Sequence, residues 1–266
     1  MAVKNENVNP GGSFKDRSLA YQLSMYIDRG KNKFVLSSSG NAAVSAAALA
    51  SIADVELDLF VSTHINPLKL EKIQKYLTDS GKIRLHQSDK AKSEAMQMAQ
   101  QDGSVVNLRG SQDDLALPGF KTIAYELAAQ CPEIDALFVP CSSGTSALAI
   151  MQGFKELGKK VAVFICQTAK VHPIAQEFDS SFADSETSLA DAIVDRVAHR
   201  KEQLLIALKE CGGGGKVISD SALLSVRHEL SEAGIDYSYN SLLGFAGYFK
   251  LVDNNFKHPV ILASGL

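Results

Sequence analysis

What this sequence lacks excludes several classes of protein. No apolar run approaches the roughly 20 residues of a membrane-spanning helix, and the start has no charged stretch leading into an apolar one, as a signal peptide would. Basic and acidic residues are interspersed and nearly balanced, with 27 Lys and Arg against 30 Asp and Glu. Such a surface has no electrostatic footprint for nucleic acid or an anionic membrane. The sequence therefore predicts a soluble, unexported protein that binds a small molecule.

Cysteine is also scarce. The four cysteines have neither the paired spacing of a zinc site nor the density of a disulfide scaffold; they are Cys131, Cys141, Cys166 and Cys211. We expect reduced, mostly buried thiols and no metal site. Reduced thiols suit a cytoplasmic enzyme.

Short β-rich apolar runs alternate with longer amphipathic stretches along the chain. For example, KFVLSS is followed by NAAVSAAALA, and ALFVP is followed by a helical stretch that ends in SALAIMQGFKEL. This alternation is typical of α/β proteins with parallel sheets. At 266 residues and 45% hydrophobic content, the chain is long enough for two such lobes. We predict two three-layer αβα lobes with mainly parallel sheets, covering residues 1–130 and 131–266.

Local signals predict individual helix ends. Asn66 followed by Pro67 predicts a helix start, because proline lacks an amide that would have no partner there. The stretch SLADAIVDRVAHRKEQLLIALKE, residues 188–210, predicts one long helix. Gly212 to Gly215 then predict its C-cap and a turn.

The first chemical signal is the stretch NPGGSFKDR, residues 9–17. It places Lys15 after a glycine-rich turn and at the start of a predicted helix. A lysine held there can form an imine with a cofactor aldehyde, provided that burial or nearby charge keeps its amine partly deprotonated. The alternative is a solvated lysine in the first helical turn, with Asp16 and Arg17 as surface charges.

The second signal is the polar stretch SSSGN, residues 37–41, between a strand and a helix of small residues. Hydroxyls and amides at a helix start suit a carboxylate, because unpaired N–H groups and the helix dipole both favour negative charge. The amide of Asn41 could also donate to a phenolate oxygen of a cofactor ring. The alternative is an ordinary strand–loop–helix connection.

The third signal is CSSGTS, residues 141–146, again between a strand and a helix. Small residues let backbone amides converge on a phosphate, and the hydroxyls add donors. No Gly-Lys-Ser/Thr follows and no G-x-G-x-x-G is present, so this stretch is neither a P-loop nor a dinucleotide site. A simple helix cap is the alternative here too.

These stretches resemble the threonine synthase family of fold-type II pyridoxal-phosphate enzymes, which share the architecture of the tryptophan synthase β subunit. NPGGSFKDR, SSSGNAAVSAAA, LPGFKTIAYELAAQ and FVPCSSGTSALAIMQGFKELG occur in the order typical of that family. TSLADAI, LKECGG and VISDSALL continue the similarity over nearly the whole chain. The resemblance implies a homodimer of two-domain α/β subunits, with the cofactor, pyridoxal 5'-phosphate, in the cleft between domains.

The resemblance also implies roles for individual residues. Lys15 resembles the lysine that carries the cofactor as a Schiff base, and Asn41 the asparagine that bonds the 3-oxygen of the ring. The phosphate loop is implied to contain Ser142, Ser143, Gly144, Thr145 and Ser146. The loop for the substrate carboxylate is implied to contain Ser37, Ser38, Ser39 and Gly40. Ser264 is the implied partner of the pyridine nitrogen, and a hydroxyl there would leave that nitrogen mostly unprotonated.

The implied reaction is that of a lyase in amino-acid biosynthesis, which converts O-phosphohomoserine and water to L-threonine and phosphate. One alternative is a serine/threonine dehydratase or a cysteine synthase-like enzyme, and another is a non-catalytic relative that binds the cofactor. The chain departs from the family in three places. Serines occupy the phosphate loop, residues 236–241 replace a usual Glu-Pro-x-Ser stretch, and the family's leading segment is missing, which predicts a shortened protein.

Overall fold

The computed structural model describes residues 1–77, 81–251 and 255–265. Within these ranges strands and helices alternate as the sequence predicts, and all the recorded strand pairings are parallel. The strands are β1 (Ala2–Asn5), β2 (Lys33–Ser37), β3 (Glu56–Val61), β4 (Ile83–Gln87), β5 (Val105–Asn107), β6 (Ala136–Pro140), β7 (Ala162–Thr168), β8 (Gly214–Ile218) and β9 (Pro259–Ala263). The helices are α1 (Lys15–Asp28), α2 (Asn41–Ala53), α3 (Pro67–Gln74), α4 (Ala91–Gln101), α5 (Ala116–Gln130), α6 (Thr145–Glu156), α7 (Lys201–Cys211), α8 (Asp220–Glu232) and α9 (Tyr239–Phe249).

The chain divides into two compact units. The smaller unit is Val8–Gly119, and the larger unit combines Met1–Asn7 with Phe120–Leu266. The sequence predicted a single boundary, near residue 130. The structure has two boundaries instead, one after Asn7 and one after Gly119. β1 belongs to the larger unit because it forms a parallel ladder with β9, in which Ala2 pairs with Val260 and Asn5 with Ala263. No sequence pattern signals so distant a pairing.

The smaller unit is a four-stranded sheet in the order β4-β3-β2-β5. Helices α1, α2 and α3 share one hydrophobic core with one face of this sheet, through residues such as Leu23, Ala46 and Leu57. Helix α4 packs on the opposite face, where Ala95 contacts Val35 and Phe60. Alternate residues of a strand point to opposite faces of the sheet. Because helices cover both faces here, most residues of β2 and β3 are apolar. This is the predicted three-layer αβα arrangement.

The larger unit is a five-stranded sheet in the order β1-β9-β6-β7-β8. Helices α8 and α9 share a core with one face, where Phe138 and Phe164 stack with ring centroids 5.0 Å apart. The residues of β6 and β7 that point to the other face, such as Val139 and Ile165, are also fully buried. Helices α6 and α7 contact β7 as well as each other. The described residues contain no helix that is long and apolar enough to cross a membrane.

The local predictions had mixed outcomes. Asn66 caps α3 as predicted, since its side chain accepts a hydrogen bond from the Leu68 amide at 2.9 Å. Gly212 is the left-handed C-cap of α7, also as predicted. Gly214 and Gly215, however, begin β8 instead of a turn. A Cβ on Gly215 would lie 2.6 Å from the Ala175 backbone, so the close approach of a neighbouring segment requires glycine there.

The predicted helix over residues 188–210 is wrong in its first half. The helix begins only at Lys201, and residues 188–199 are irregular, with bends or turns at some positions. Side chains from distant parts of the chain accept hydrogen bonds from backbone amides that would otherwise bond within a helix. Asn240 accepts from the amide of Ala192, and Ser142 accepts from the amides of Val194 and Asp195. Tertiary hydrogen bonds therefore override the helical pattern in this segment.

Candidate active site

Lys15 is the first residue of α1 and follows the predicted glycine-rich turn. The turn is closed by a hydrogen bond of 2.7 Å from the Gly12 amide to the Asn9 carbonyl, and Gly12 adopts a positive φ of 80°. Ser13 and Phe14, which connect this turn to Lys15, are buried. Lys15 is half-buried, and its Nζ lies 4.9 Å from the centroid of the Phe14 ring. The turn and its buried flank therefore fix the backbone from which Lys15 extends.

Asp16 fastens this turn to the helix. Its Oδ2 accepts a hydrogen bond of 2.6 Å from the Gly11 amide, and the residue is only 8% exposed. A Cβ on Gly11 would lie 2.3 Å from Asp16 Oδ1, so only glycine fits against the carboxylate. The alternative in which Asp16 is a surface charge is therefore wrong. Among the described residues its Oδ1 has no hydrogen-bond partner, so it is a buried polar atom next to Lys15.

The Ser37–Gly40 loop follows β2 and is held by its own hydroxyls. Ser38 Oγ accepts from the Gly40 amide at 3.2 Å, and Ser39 Oγ accepts from the Ser62 amide at 2.7 Å. Gly40 is the N-cap of α2 and has no side chain to cap the helix. The amides at this helix start are therefore not satisfied by a capping side chain, which suits an anionic ligand.

Asn41 is the first residue of α2 and is half-buried. Within the described part of the chain its side chain makes no recorded hydrogen bond, so its amide can donate to a ligand. Helices α1 and α2 pack against one another in the core of the smaller unit. The structure thus places Lys15 and Asn41 at the first positions of two packed helices.

In the larger unit, the Cys141–Ser146 loop connects β6 to α6. Gly144 is the N-cap of α6 and has a φ of +87°, a conformation that favours glycine. A Cβ there would lie 2.5 Å from Leu204 Cδ2 and 3.3 Å from Ile174 Cδ1. No side chain caps α6, so its first amides remain available at a glycine turn. This is the backbone geometry expected of a phosphate site.

The hydroxyls of this loop have different roles. Ser142 Oγ donates to Asp195 Oδ2 at 2.9 Å and accepts from the amides of Val194 and Asp195, each at 3.2 Å. A hydroxyl has one donor and two acceptor sites, so Ser142 is fully occupied within the chain. Ser143 Oγ and Thr145 Oγ1 lie 3.2 Å apart and share one hydrogen bond. At least one proton of that pair remains for a ligand.

Two buried residues that the sequence did not single out support the loop. The side chain of Gln167, at the end of β7, donates to the Ser142 carbonyl at 3.1 Å and accepts from the amides of Ile174 and Ala175. Arg200, the N-cap of α7, donates from Nη1 to Thr145 Oγ1 at 3.4 Å. Neither has a sequence signal, because each lies far along the chain from its partner.

Ser264 follows β9 and is buried. The next residue, Gly265, is held through its carbonyl by Ser238 Oγ at 2.6 Å and Ser241 Oγ at 2.9 Å. The altered stretch of residues 236–241 thus positions the segment that carries Ser264. Because β6 and β9 are neighbouring parallel strands, Ser264 and the Cys141–Ser146 loop follow the same edge of the sheet.

Cys141 and Cys166, near this edge, are both buried. Burial, with a smaller contribution from Cys141, raises the pKa of the Cys166 thiol far above its ordinary range. A raised pKa favours the protonated, less nucleophilic form of that thiol.

Comparison with known proteins identifies the family. A model of pyridoxal-phosphate-dependent enzymes matches residues 1–263. The chain belongs to this family. Among its relatives, the threonine synthase of Methanosarcina acetivorans is 25% identical over 269 residues, which cover 95% of this chain and 65% of the relative. The serine racemase of Arabidopsis thaliana is 27% identical over 179 residues, covering 66% of this chain and 53% of the relative.

Solved structures confirm the fold. Maize serine racemase superposes with a TM-score of 0.82 and 18% identity, covering 99% of this chain and 82% of that one. Threonine deaminase isoform 2 of Solanum lycopersicum superposes with a TM-score of 0.80 and 19% identity, covering 99% and 74%. The chain thus has the fold of the fold-type II enzymes, and pyridoxal phosphate is the cofactor of the family to which it belongs. It spans 65% of the length of the threonine synthases of Methanosarcina acetivorans and Methanocaldococcus jannaschii.

The residues of the Cys141–Ser146 loop fit a phosphate group. The donors there are backbone amides at an uncapped helix start, the hydroxyl pair of Ser143 and Thr145, and the Ser146 side chain. Two charged side chains of opposite sign also bind the loop: the Arg200 guanidinium donates to Thr145, and the Asp195 carboxylate accepts from Ser142. Such a donor set, with a cation behind it, is suited to an anion and not to a metal ion.

Proposed function

We propose that the protein is a threonine synthase-like lyase, which converts O-phosphohomoserine and water to L-threonine and phosphate. The observation that carries this proposal is the extent of the similarity to threonine synthases, which covers 95% of the chain. It includes LPGFKTIAYELA, in and around α5, which lies outside the loops that a cofactor alone requires.

We assign the cofactor-binding residues from the family resemblance. Lys15 is the proposed lysine for the cofactor aldehyde, Asn41 the proposed donor to the ring 3-oxygen, and Ser264 the proposed partner of the pyridine nitrogen. The phosphate is assigned to Ser143, Gly144, Thr145 and Ser146, with Ser142 as the residue that tethers the loop to Asp195. When bound, pyridoxal phosphate supplies an electron sink for negative charge at the carbons of an amino acid.

Lys15 is proposed to move protons at the α and β carbons of the substrate through its Nζ. This role needs an amine that is neutral for part of the cycle. Asp16 holds the preceding turn and so keeps the Lys15 backbone in place. A defined backbone limits the region that Nζ can reach, which is what orientation of a proton transfer requires.

The Ser37–Gly40 loop and the start of α2 are proposed to bind the substrate carboxylate. Ser38 and Ser39 already accept backbone hydrogen bonds, so their protons remain to be donated. The backbone amide of Asn41, at the uncapped start of α2, adds a further donor. This arrangement binds one negative charge without a basic side chain.

The candidate donors for the leaving phosphate are the basic residues Arg17, Lys121 and His172. Lys121 Nζ is 2.6 Å from Glu156 Oε1, and His172 lies between the Thr168 carbonyl, 3.0 Å from its Nδ1, and Asp184, 3.2 Å from its Nε2. Both side chains are thus engaged elsewhere in the larger unit. A homodimer in the cytoplasm is also part of this proposal, and the family resemblance supports it.

A second candidate is a dehydratase or β-replacement enzyme acting on serine, threonine or an activated serine. It is favoured by the serine racemase relative of Arabidopsis thaliana and by the structural likeness to maize serine racemase and tomato threonine deaminase. Lys15, Asn41 and the phosphate loop would serve that chemistry equally well. A non-catalytic relative is the third alternative.

One assay separates these candidates. The protein is loaded with pyridoxal phosphate and given O-phosphohomoserine, L-threonine, L-serine or O-acetylserine, while absorbance, phosphate, ammonia and pyruvate are followed. We expect phosphate release from O-phosphohomoserine that is lost in Lys15→Ala and kept in Lys92→Ala, an exposed lysine of α4. Ammonia and pyruvate from L-serine would support the dehydratase instead. Cofactor binding without turnover of any of these amino acids would defeat both enzymes.

A further inference from the structure

Ser45, in the second turn of α2, has a buried hydroxyl with no partner. The residue is 0% exposed, and its Oγ makes no hydrogen bond in the part of the chain that the structure describes. A serine inside a helix can bond the carbonyl four residues earlier, but Ser45 makes no such bond. Its neighbours from Ala42 to Ala50 are all alanine, valine or leucine. Packing alone would favour alanine at this position, because an unpaired buried hydroxyl is destabilising.

Helix geometry places this hydroxyl one turn from Asn41. The two residues are four apart in α2, so they lie on the same face of the helix, with Cβ atoms roughly 5–6 Å apart. The Cα–Cβ bond of a helical residue is tilted toward the start of the helix, which for Ser45 is toward Asn41. Rotation of the two side chains can close the remaining gap to a hydrogen bond. The Asn41 side chain itself makes no recorded hydrogen bond within the same described ranges.

The topology of the smaller sheet independently favours a ligand at the start of α2. Strand β2 lies between β3 and β5. From β2 the chain runs through α2 to β3, and it later returns through α4 to β5, on the other side of β2. Helices α2 and α4 pack on opposite faces of the sheet. Ligands of open parallel sheets bind at the carboxyl end of the strands where the order reverses in this way, and the Ser37–Gly40 loop lies at that point.

An asparagine amide can present either its nitrogen or its oxygen to a ligand, and its hydrogen-bond partners decide which. A phenolate oxygen only accepts, so it requires the nitrogen of Asn41, and the amide oxygen then needs a donor of its own. We infer that Ser45 is a positioning residue that supplies this donor: its hydroxyl donates to Asn41 Oδ1 and so holds Nδ2 toward the cofactor ring. This inference rests on the proposed assignment of Asn41 to the 3-oxygen.

The test compares how the full-length apoprotein binds pyridoxal 5'-phosphate and 3-deoxypyridoxal 5'-phosphate, which lacks the 3-oxygen. Both have the same aldehyde and phosphate, so the analogue's dissociation constant divided by that of pyridoxal phosphate reports the contribution of the 3-oxygen. We expect Ser45→Ala to lower this ratio about three- to tenfold, the factor that one hydrogen bond contributes. Ser45→Cys, which fills similar space with a weak donor, should lower it too. Ser51→Ala, which removes a hydroxyl from the same helix further from Asn41, should leave it unchanged.

Stability separates this role from a purely structural one. Ser45→Ala removes an unpaired buried hydroxyl and introduces a better helix former, so the apoprotein should resist denaturant at least as well as the wild type. In an Asn41→Ala background, Ser45→Ala should not change the ratio, because the side chain through which it acts is missing. The inference is overturned by an unchanged ratio in Ser45→Ala, a wild-type ratio in Ser45→Cys, an equal effect of Ser51→Ala, an undiminished effect in the Asn41→Ala background, or a fall in the unfolding midpoint of Ser45→Ala.

Failure of the Asn41 assignment has a different signature. If Asn41→Ala leaves the wild-type ratio intact, Asn41 does not bind the 3-oxygen and the role of Ser45 fails with it. If Asn41→Ala lowers the ratio while Ser45→Ala preserves it, the assignment of Asn41 stands and only the inference about Ser45 is wrong. The reaction itself is tested separately by phosphate release from O-phosphohomoserine, so a protein without that activity would still show the expected ratios.

Discussion

Replacing Gly119 by alanine should move the helix that carries Lys15. Gly119 lies in the first turn of α5, and the carbonyl of Ala116, which begins that helix, accepts a hydrogen bond of 3.0 Å from Ser18 Oγ of α1. A Cβ at Gly119 would lie 2.1 Å from the Arg17 carbonyl oxygen and 2.7 Å from Ser18 Cα. These are backbone atoms, so no side-chain rotation can relieve the overlap.

The size of the shift follows from these contacts. Real Cβ atoms essentially never approach closer than 3.0 Å, so the backbone must move by at least 0.9 Å, the difference between 3.0 and 2.1 Å. Lys15 is two residues before Arg17 in the same helix and must follow it. A misplacement of about 1 Å can reduce a reaction rate roughly 100-fold. The overpacking should also destabilise the smaller unit by about 1–3 kcal/mol.

The rate at which Lys15 reacts with pyridoxal phosphate is measured by mixing apoprotein with cofactor and following the visible absorbance. Hydrogen exchange of the α1 amides reports the local stability in the same samples. Gly103→Ala is the matched control, because a Cβ there meets no atom within 4 Å and its φ is not positive. Equal rates for Gly119→Ala and Gly103→Ala would refute the reasoning.

Further predictions concern single side chains. Lys15→Ala should abolish the visible band of the bound cofactor, and borohydride reduction with peptide mapping of the wild type should label Lys15; a label on another lysine would contradict its assignment. Although burial alone would raise the pKa of Asp179, hydrogen bonds from Lys250, the Val217 amide and Ser181 hold it well below its ordinary value. The stability this gives is present above the unfolded pKa of about 3.9 and lost as pH falls. Asp179→Asn should therefore cost about 3 kcal/mol at pH 7 by chemical denaturation, and progressively less below pH 4; a constant difference across pH would refute this. Cys166 should alkylate far more slowly than the partly exposed Cys131 in the native protein, because burial raises its pKa; equal rates by mass spectrometry would contradict it.

The elements could be predicted because local patterns and tertiary burial agree for most of them. Strands such as β6 and β7 are apolar runs that are buried on both faces, and α2 is an alanine-rich helix that packs closely on its sheet. The caps at Asn66 and Gly212 depend only on neighbouring residues, so they are readable from the sequence. The motifs around Lys15, Asn41 and Gly144 fall at helix starts for the same reason.

What the sequence did not reveal depends on contacts between distant residues. The helical pattern of residues 188–199 is real, but Ser142 and Asn240 take its amides. The support of the loop by Gln167 and Arg200 has no local pattern at all. Ser142 belongs to the predicted loop, yet its hydroxyl donates to Asp195, 53 residues further along the chain.

The pairing of β1 with β9 sets the order in which the two units can be completed during translation. The four strands of the smaller sheet all lie between Lys33 and Asn107, so that sheet can form as soon as this stretch has left the ribosome. The larger sheet cannot, because β9 separates β1 from β6 and is the last of the described strands to be synthesised. Until then β1 has no neighbour and β6 has one open edge. The nascent chain is therefore expected to carry one finished sheet and one exposed sheet edge, which is where chaperones would bind it.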